Sequence, residues 1–215
     1  MLIACWSSKG GAGTTVVAAS LALLLARRDP GGVLLADLAG DGPAVLGLPE
    51  PESPGIAGWL ATGADVPVDA LSRLEVPATT GLRLLPRGAG PLLVDRAEVL
   101  SVLLRSDTRP VVVDCGSNPA GAALVVAAGA TRSVLVTRSC FLSLRRVVMA
   151  HLRPSEVVLL TEAGRSLTRA DIEDCVGAPV IAEVAVDPAV ARAVDAGLLA
   201  SRFPRSLAKD LADAA

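Results

Sequence analysis

The sequence predicts an α/β domain: a doubly wound, mainly parallel sheet with helices on both faces. Three observations predict it. Short apolar β-type runs alternate with longer helical patterns, the signature of βα units. The runs lack polar alternation, most clearly at Val111-Val112-Val113, so their strands must be buried on both faces. The first run also passes through a glycine-rich loop directly into a helical pattern.

Taken in order, strands are expected at Leu2–Cys5, Val33–Asp37, Leu82–Leu85, Val111–Asp114, Ser133–Thr137, Val157–Thr161 and Val180–Val184. The first helix should run from about Gly13 to Arg28, with Ala18, Leu21 and Leu25 facing the sheet, and stop before Asp29-Pro30-Gly31-Gly32. Residues 40 to 80 are rich in Gly and Pro and hold Trp59 in a short helical pattern, so they read as an elaborated crossover. Phe203, Leu207 and Leu211 recur at helical spacing near the end, and a terminal helix packed on the domain is preferred there over a membrane-contacting tail. Residues 1–215 are therefore read as one domain.

Composition narrows the function classes. Hydrophobic residues make up 52% of the chain and aromatics only 2%, so the core must be built from Val, Leu and Ala. The formal charge of -2 leaves no global electrostatic footprint for nucleic acid or anionic membrane. No apolar stretch is long enough to span a bilayer, and Val16–Ala26 lacks the basic segment that precedes a signal peptide, so a cytoplasmic protein is expected. Cys5, Cys115, Cys140 and Cys175 form no CxxC and are read as reduced, mostly buried thiols. His151 is read as a solvated helix-end residue and Cys115 as a small buried one, neither with a chemical role. Only two lysines, Lys9 and Lys209, stand against eighteen arginines, so a lysine inside a glycine loop carries weight.

That loop is Ser7-Ser8-Lys9-Gly10-Gly11-Ala12-Gly13-Thr14-Thr15. Glycines let the backbone turn its N–H groups around phosphate oxygens, and the following helix adds the positive end of its dipole. The regular P-loop pattern GxxxxGK[ST] nevertheless fails, with Ser8 and Thr14 where glycine and lysine would stand.

The segment resembles the deviant phosphate loop KGGxGKTT of the ParA/MinD family. The resemblance implies that Lys9 is the signature lysine, which in that family reaches across a dimer to the partner's nucleotide. It implies that Gly10, Gly11, Ala12, Gly13, Thr14 and Thr15 line the nucleotide phosphates, with Thr15 as the magnesium hydroxyl. Thr14 replaces the lysine that holds the β- and γ-phosphates, and Val16 replaces a phosphate-facing threonine. Val33–Asp37 resembles the family's second strand with its DxD ending, but Ala39 stands at the second acidic position unless Asp41 substitutes. Val111–Gly116 is similar to the Walker B strand, which makes Asp114 a magnesium partner, with Asp37 holding magnesium-bound water. Leu82–Gly88 and Val184–Val190 resemble later family segments, the second of which borders the adenine.

The resemblance thus implies bound ATP and Mg2+, a face-to-face homodimer, and weak or absent hydrolysis, with Lys9 and Asp37 as the candidate catalytic groups. Loss of the second lysine, with the Leu82–Gly88 segment, is most similar to the CpaE/TadZ-like branch. That branch implies protein partners in pilus, secretion or cell-pole assembly and recruitment to the pole or inner membrane face. Two alternatives stand beside it: a nucleotide-free scaffold for protein interaction, and a competent ParA-like ATPase acting in DNA segregation.

Overall fold

The computed structural model describes residues 1–63 and 66–215. Strands β1 (Leu2–Ser7), β2 (Val33–Asp37), β3 (Val76–Thr79), β4 (Leu82–Leu85), β5 (Val111–Ser117), β6 (Arg132–Arg138), β7 (Glu156–Thr161) and β8 (Val180–Ala185) form one sheet in the order β3-β4-β2-β5-β1-β6-β7-β8. Every pairing is parallel except β3 with β4. The seven expected strands are all present. β3 was not expected; it is a four-residue edge strand joined to β4 through Thr80-Gly81, and its ladder shifts register beside Pro77. A proline in a short run demotes it as a strand in sequence, yet an edge position tolerates one.

One face of the sheet carries α1 (Thr14–Ala26), α2 (Gly42–Leu46), α8 (Pro188–Asp195) and α9 (Arg205–Asp210). The other carries α3 (Gly55–Leu60), α4 (Ala97–Ser106), α5 (Ala122–Ala128), α6 (Phe141–Met149) and α7 (Arg169–Val176). The central strands β1, β2 and β5 are buried on both faces, as their unbroken apolar sequence requires. α1 is buried from Val17 to Leu25 because it lies against the sheet and is itself overlaid, which is why its sequence is apolar all round. The terminal segment packs on the domain: Leu207 and Leu211 are buried beside α1, and the Arg27 guanidinium sits 5.0 Å from the centre of the Phe203 ring. Trp59 is buried in α3, with Arg96 stacked on it at 3.8 Å.

No helix among the described residues is long and apolar enough to cross a membrane. The expectation of mostly buried thiols holds for two of the four. Cys5 and Cys115 lie inside on central strands, whereas Cys140 begins α6 half-buried and Cys175 on α7 is exposed.

Candidate functional site

The strand order reverses around β1, which lies between β5 and β6 while the chain reaches β2 through α1. In open parallel sheets the crevice at the carboxyl ends of strands at such a point is where ligands bind. Here the loops after β1, β2, β4 and β5 enclose a cleft of about 630 Å3.

The loop after β1 is held from outside. The Ser7 hydroxyl donates to the Lys9 carbonyl at 3.0 Å, and the Ser8 hydroxyl donates to the Ser143 carbonyl of α6 at 3.0 Å. The Asn118 N–H donates to the Ser7 carbonyl at 2.6 Å. Asn118 has a φ of 50°, the one positive value at a non-glycine among the described residues, and asparagine tolerates it through its short polar side chain. Gly11 and Gly13, at φ 76° and 82°, turn the chain into α1. A Cβ on Gly13 would meet Leu160 at 3.1 Å, while one on Gly11 would meet nothing, so Gly11 serves conformation alone.

The result is a run of unsatisfied donors. Among the described residues, the backbone N–H groups from Gly10 to Val16 have no acceptor in hydrogen-bonding geometry, and α1 has no side-chain cap at Gly13. Converging N–H groups at the N-terminus of a thirteen-residue helix form an anion site.

Asp37 ends β2 and pairs in register with Asp114 in the middle of β5. Both are buried, but they are bonded differently. Asp37 Oδ1 accepts from the Ala39 and Gly40 N–H groups at 2.9 and 2.6 Å, and Oδ2 accepts from Gly42 at 2.8 Å. This carboxylate shapes the loop after β2; burial pushes its pKa up and the three N–H groups pull it down, with burial the larger effect. Asp114 Oδ1 accepts from Gly116 at 2.9 Å, whereas its Oδ2 is buried with no partner. Burial pushes the Asp114 carboxyl up to about 6, against the opposing pull of the Thr15 hydroxyl and the Gly116 N–H.

An orphaned carboxylate oxygen facing a threonine hydroxyl, below a cradle of N–H donors, is a hard-oxygen donor set that fits Mg2+. Among the described residues no three His, Cys, Asp or Glu side chains converge as a metal site, so phosphate and water would have to complete the coordination. That is how magnesium, which parts reluctantly with its waters, is held at nucleotide sites.

No family model matches the sequence, and no curated protein matches it. Solved structures do. A ParA-family ATPase of Chlorobium tepidum TLS superimposes with a TM-score of 0.83 at 21% identity, over 99% of this chain and 96% of that one. The chain has the ParA/MinD P-loop fold. The septum site-determining protein MinD of Pyrococcus horikoshii OT3, complexed with Mg-ADP, gives 0.78 at 21% identity over 97% and 91%. MinD in the MinC:MinD complex of Aquifex aeolicus gives 0.77 at 22% over 99% and 92%.

Within this ParA/MinD fold the cleft brings together Gly10, Gly11, Ala12, Gly13, Thr14 and Thr15, with Asp114 beneath. Lys9 does not line it. Lys9 instead lines the adjoining groove with Arg146 and His151, and a small hollow with Arg138 and Cys140. Asp37 is turned into its own loop, and the carboxylate that reaches the cleft from that loop is Asp41. Arg87 and Asn118 are among the cleft residues assigned no role from sequence. Arg87 lines the wall and donates to the carbonyls of Leu38 and Gly90 at 3.2 and 3.0 Å, and Asn118 forms the opposite lip. Neither left a signal, because both reach the site through loops after other strands.

A smaller apolar hollow of about 290 Å3 lies behind Gly13, walled by Val16, Leu160, Val184, Val186 and Val190. It adjoins the glycine loop at Gly13, and Val184, Val186 and Val190 line it together with Val16 and Leu160. Cys115 is inert, since burial first and Asp114 second push its thiol well up.

Proposed function

We propose that the chain is an ATP-binding, dimerising positioning or assembly factor of ParA/MinD type whose degenerate phosphate loop supports little or no hydrolysis. The observation that carries this reading is the run of N–H donors from Gly10 to Val16 without acceptors, set over the orphaned Oδ2 of Asp114. The buried Asp114 oxygen is costly without a partner, and the N–H groups, most of them on half-buried or exposed residues of the cleft, stand ready to exchange water for an anion. A nucleotide triphosphate with magnesium satisfies both.

Thr15 and Asp114 would hold the metal, which supplies charge neutralisation at the phosphates. The base would lie in the apolar hollow beside Val184 and Val190. Lys9, which lines the groove beside the cleft rather than the cleft itself, suits a role across a dimer. Thr14 is buried in the cleft wall where a phosphate-binding cation would stand, which supports weak binding. Ala39 offers no carboxylate to orient water, and Asp37 is committed to three backbone N–H groups, which supports slow or absent hydrolysis.

The missing lysine favours the CpaE/TadZ-like branch, with partners in pilus, secretion or cell-pole assembly and a cytoplasmic protein recruited there. The same loss supports a second reading, a nucleotide-free scaffold. Isothermal titration with ATP and Mg2+, paired with size-exclusion chromatography, separates them. Magnesium-dependent binding with a shift to dimer is expected, and a constant mass with no binding heat would leave the scaffold.

A further inference from the structure

Thr14 puts no charge in the phosphate loop, but a cation reaches that loop from another strand. Arg138 is the last residue of β6, which neighbours β1 in the sheet. It lines the apolar hollow with Gly13 and Val16, and also a smaller hollow of about 100 Å3 with Gly11 and Ala12. Among the described residues it is the one cation lining the apolar hollow; the other charged groups there are Asp187 and Asp195.

The Arg138 guanidinium is only partly committed. Its Nη1 donates to Glu162 Oε1, while Glu162 Oε2 accepts from Arg165 Nε at 2.8 Å, so one carboxylate serves two arginines. The Nε of Arg138 is buried and has no acceptor among the described residues. A buried donor on a cation is costly to leave unpaired, and an anion is its strongest partner. Gly13 and Val16 line both the cleft and the hollow. A nucleotide with its terminal phosphates in the cleft and its base in the hollow therefore crosses these two residues with its sugar and the phosphate next to it.

We propose that Arg138 is a nucleotide-binding residue that holds the phosphate next to the sugar, supplying from β6 a positive charge that the loop lacks at Thr14. Asp187 caps α8, accepting from the Ala189 N–H and the Ser206 hydroxyl at 2.7 and 3.0 Å, and Asp195 ends that helix. Carboxylates repel phosphate, so the phosphate side of the hollow is that of Arg138 and the base side that of α8. Glu162 competes with the phosphate for the same guanidinium. The inference rests on the ATP-binding reading above and adds to it a residue outside both the glycine loop and the magnesium donors.

Isothermal titration with ATP and Mg2+ tests it. Arg138→Gln should weaken binding at least about tenfold, as loss of a charge-assisted hydrogen bond does. Arg138→Lys, which keeps the charge without the Nε donor, should weaken it less. Glu162→Gln keeps the cation and removes its competitor, so this variant should bind at least as tightly as the unaltered chain. ATP binding that a folded Arg138→Gln variant leaves unchanged overturns the proposal and not the reading beneath it. Equal losses for Arg138→Gln and Glu162→Gln also overturn it, since the arginine then serves only its ion pair. No binding by the unaltered chain overturns the reading itself and the proposal with it. If circular dichroism shows Arg138→Gln unfolded, Arg138→Gln/Glu162→Gln, which leaves no unpaired carboxylate, is compared with Glu162→Gln. The double variant should then bind about tenfold more weakly, and equal binding overturns the proposal.

Discussion

Asp37 at the end of β2 and Asp114 within β5 stand side by side, yet Asp37 commits its carboxylate to three N–H groups while Asp114 keeps one buried oxygen unbonded. Two residues that read alike in sequence therefore have different work. Asp37 organises a loop, whereas Asp114 leaves a buried oxygen unpartnered.

Asp37→Asn should lower the stability of the ligand-free protein by about 1 to 3 kcal/mol, because the amide nitrogen cannot accept from backbone N–H groups. Gly42→Ala should act in the same direction, since a Cβ there would lie 2.7 Å from Asp37 Oδ2. Urea denaturation without magnesium checks both. An unchanged midpoint for Asp37→Asn would remove the structural role.

The Asp114 carboxyl gives a pH dependence of defined sign. Its pKa rises from the ordinary 3.8 to about 6 on folding, so the native state holds the proton more tightly than the unfolded chain. Its contribution is present below about pH 4 and is lost as pH rises through about 6, a loss of about 3 kcal/mol in the ligand-free protein. Asp37, also raised, adds to the slope in the same sense. Asp114→Asn should therefore flatten the fall between pH 4 and 6.5 and raise the melting temperature at pH 8, while removing any stabilisation by ATP with Mg2+. Thermal melts across that range, with and without ligand, read all three effects.

Thr14→Lys restores a charge to the cleft wall. A charge-assisted hydrogen bond to phosphate contributes about 1.5 to 3 kcal/mol, which is roughly ten- to more than a hundredfold in affinity. Titration should show ATP binding tightened by that factor. Phosphate release should become measurable only when Ala39→Asp is added, because charge holds phosphate but a placed carboxylate orients water.

Arg87→Ala removes a cation from the cleft and three hydrogen bonds to the loops after β2 and β4. Nucleotide affinity should fall about tenfold with a modest loss of stability, on the order of 1 kcal/mol. Arg87→Lys should recover part of the charge effect but not the fork that spans both loops. Fluorescent-nucleotide titration of the two variants separates charge from shape.

The sheet was legible in the sequence because burial on both faces leaves an unbroken apolar run, and β2, β5 and β6 each have one. The glycine turn and its run of N–H donors were legible because they come from consecutive residues, Gly10 to Val16. β3 was not, since its pairing depends on β4 across Thr80-Gly81 and its Pro77 argues locally against a strand.

The order of residues along the chain determined the parallel α/β fold, the glycine turn into α1, and the loss of a lysine at Thr14. Tertiary structure alone decided that Lys9 lines a groove beside the cleft, that Asp41 rather than Asp37 lines the cleft, that Arg87 and Asn118 border it, and that α6 shows Phe141 and Met149 to solvent. The physical reason is one of range. Periodicity and glycine placement act between near neighbours, whereas a side chain's direction and hydrogen-bond partners are set by whichever distant segment the sheet order brings beside it.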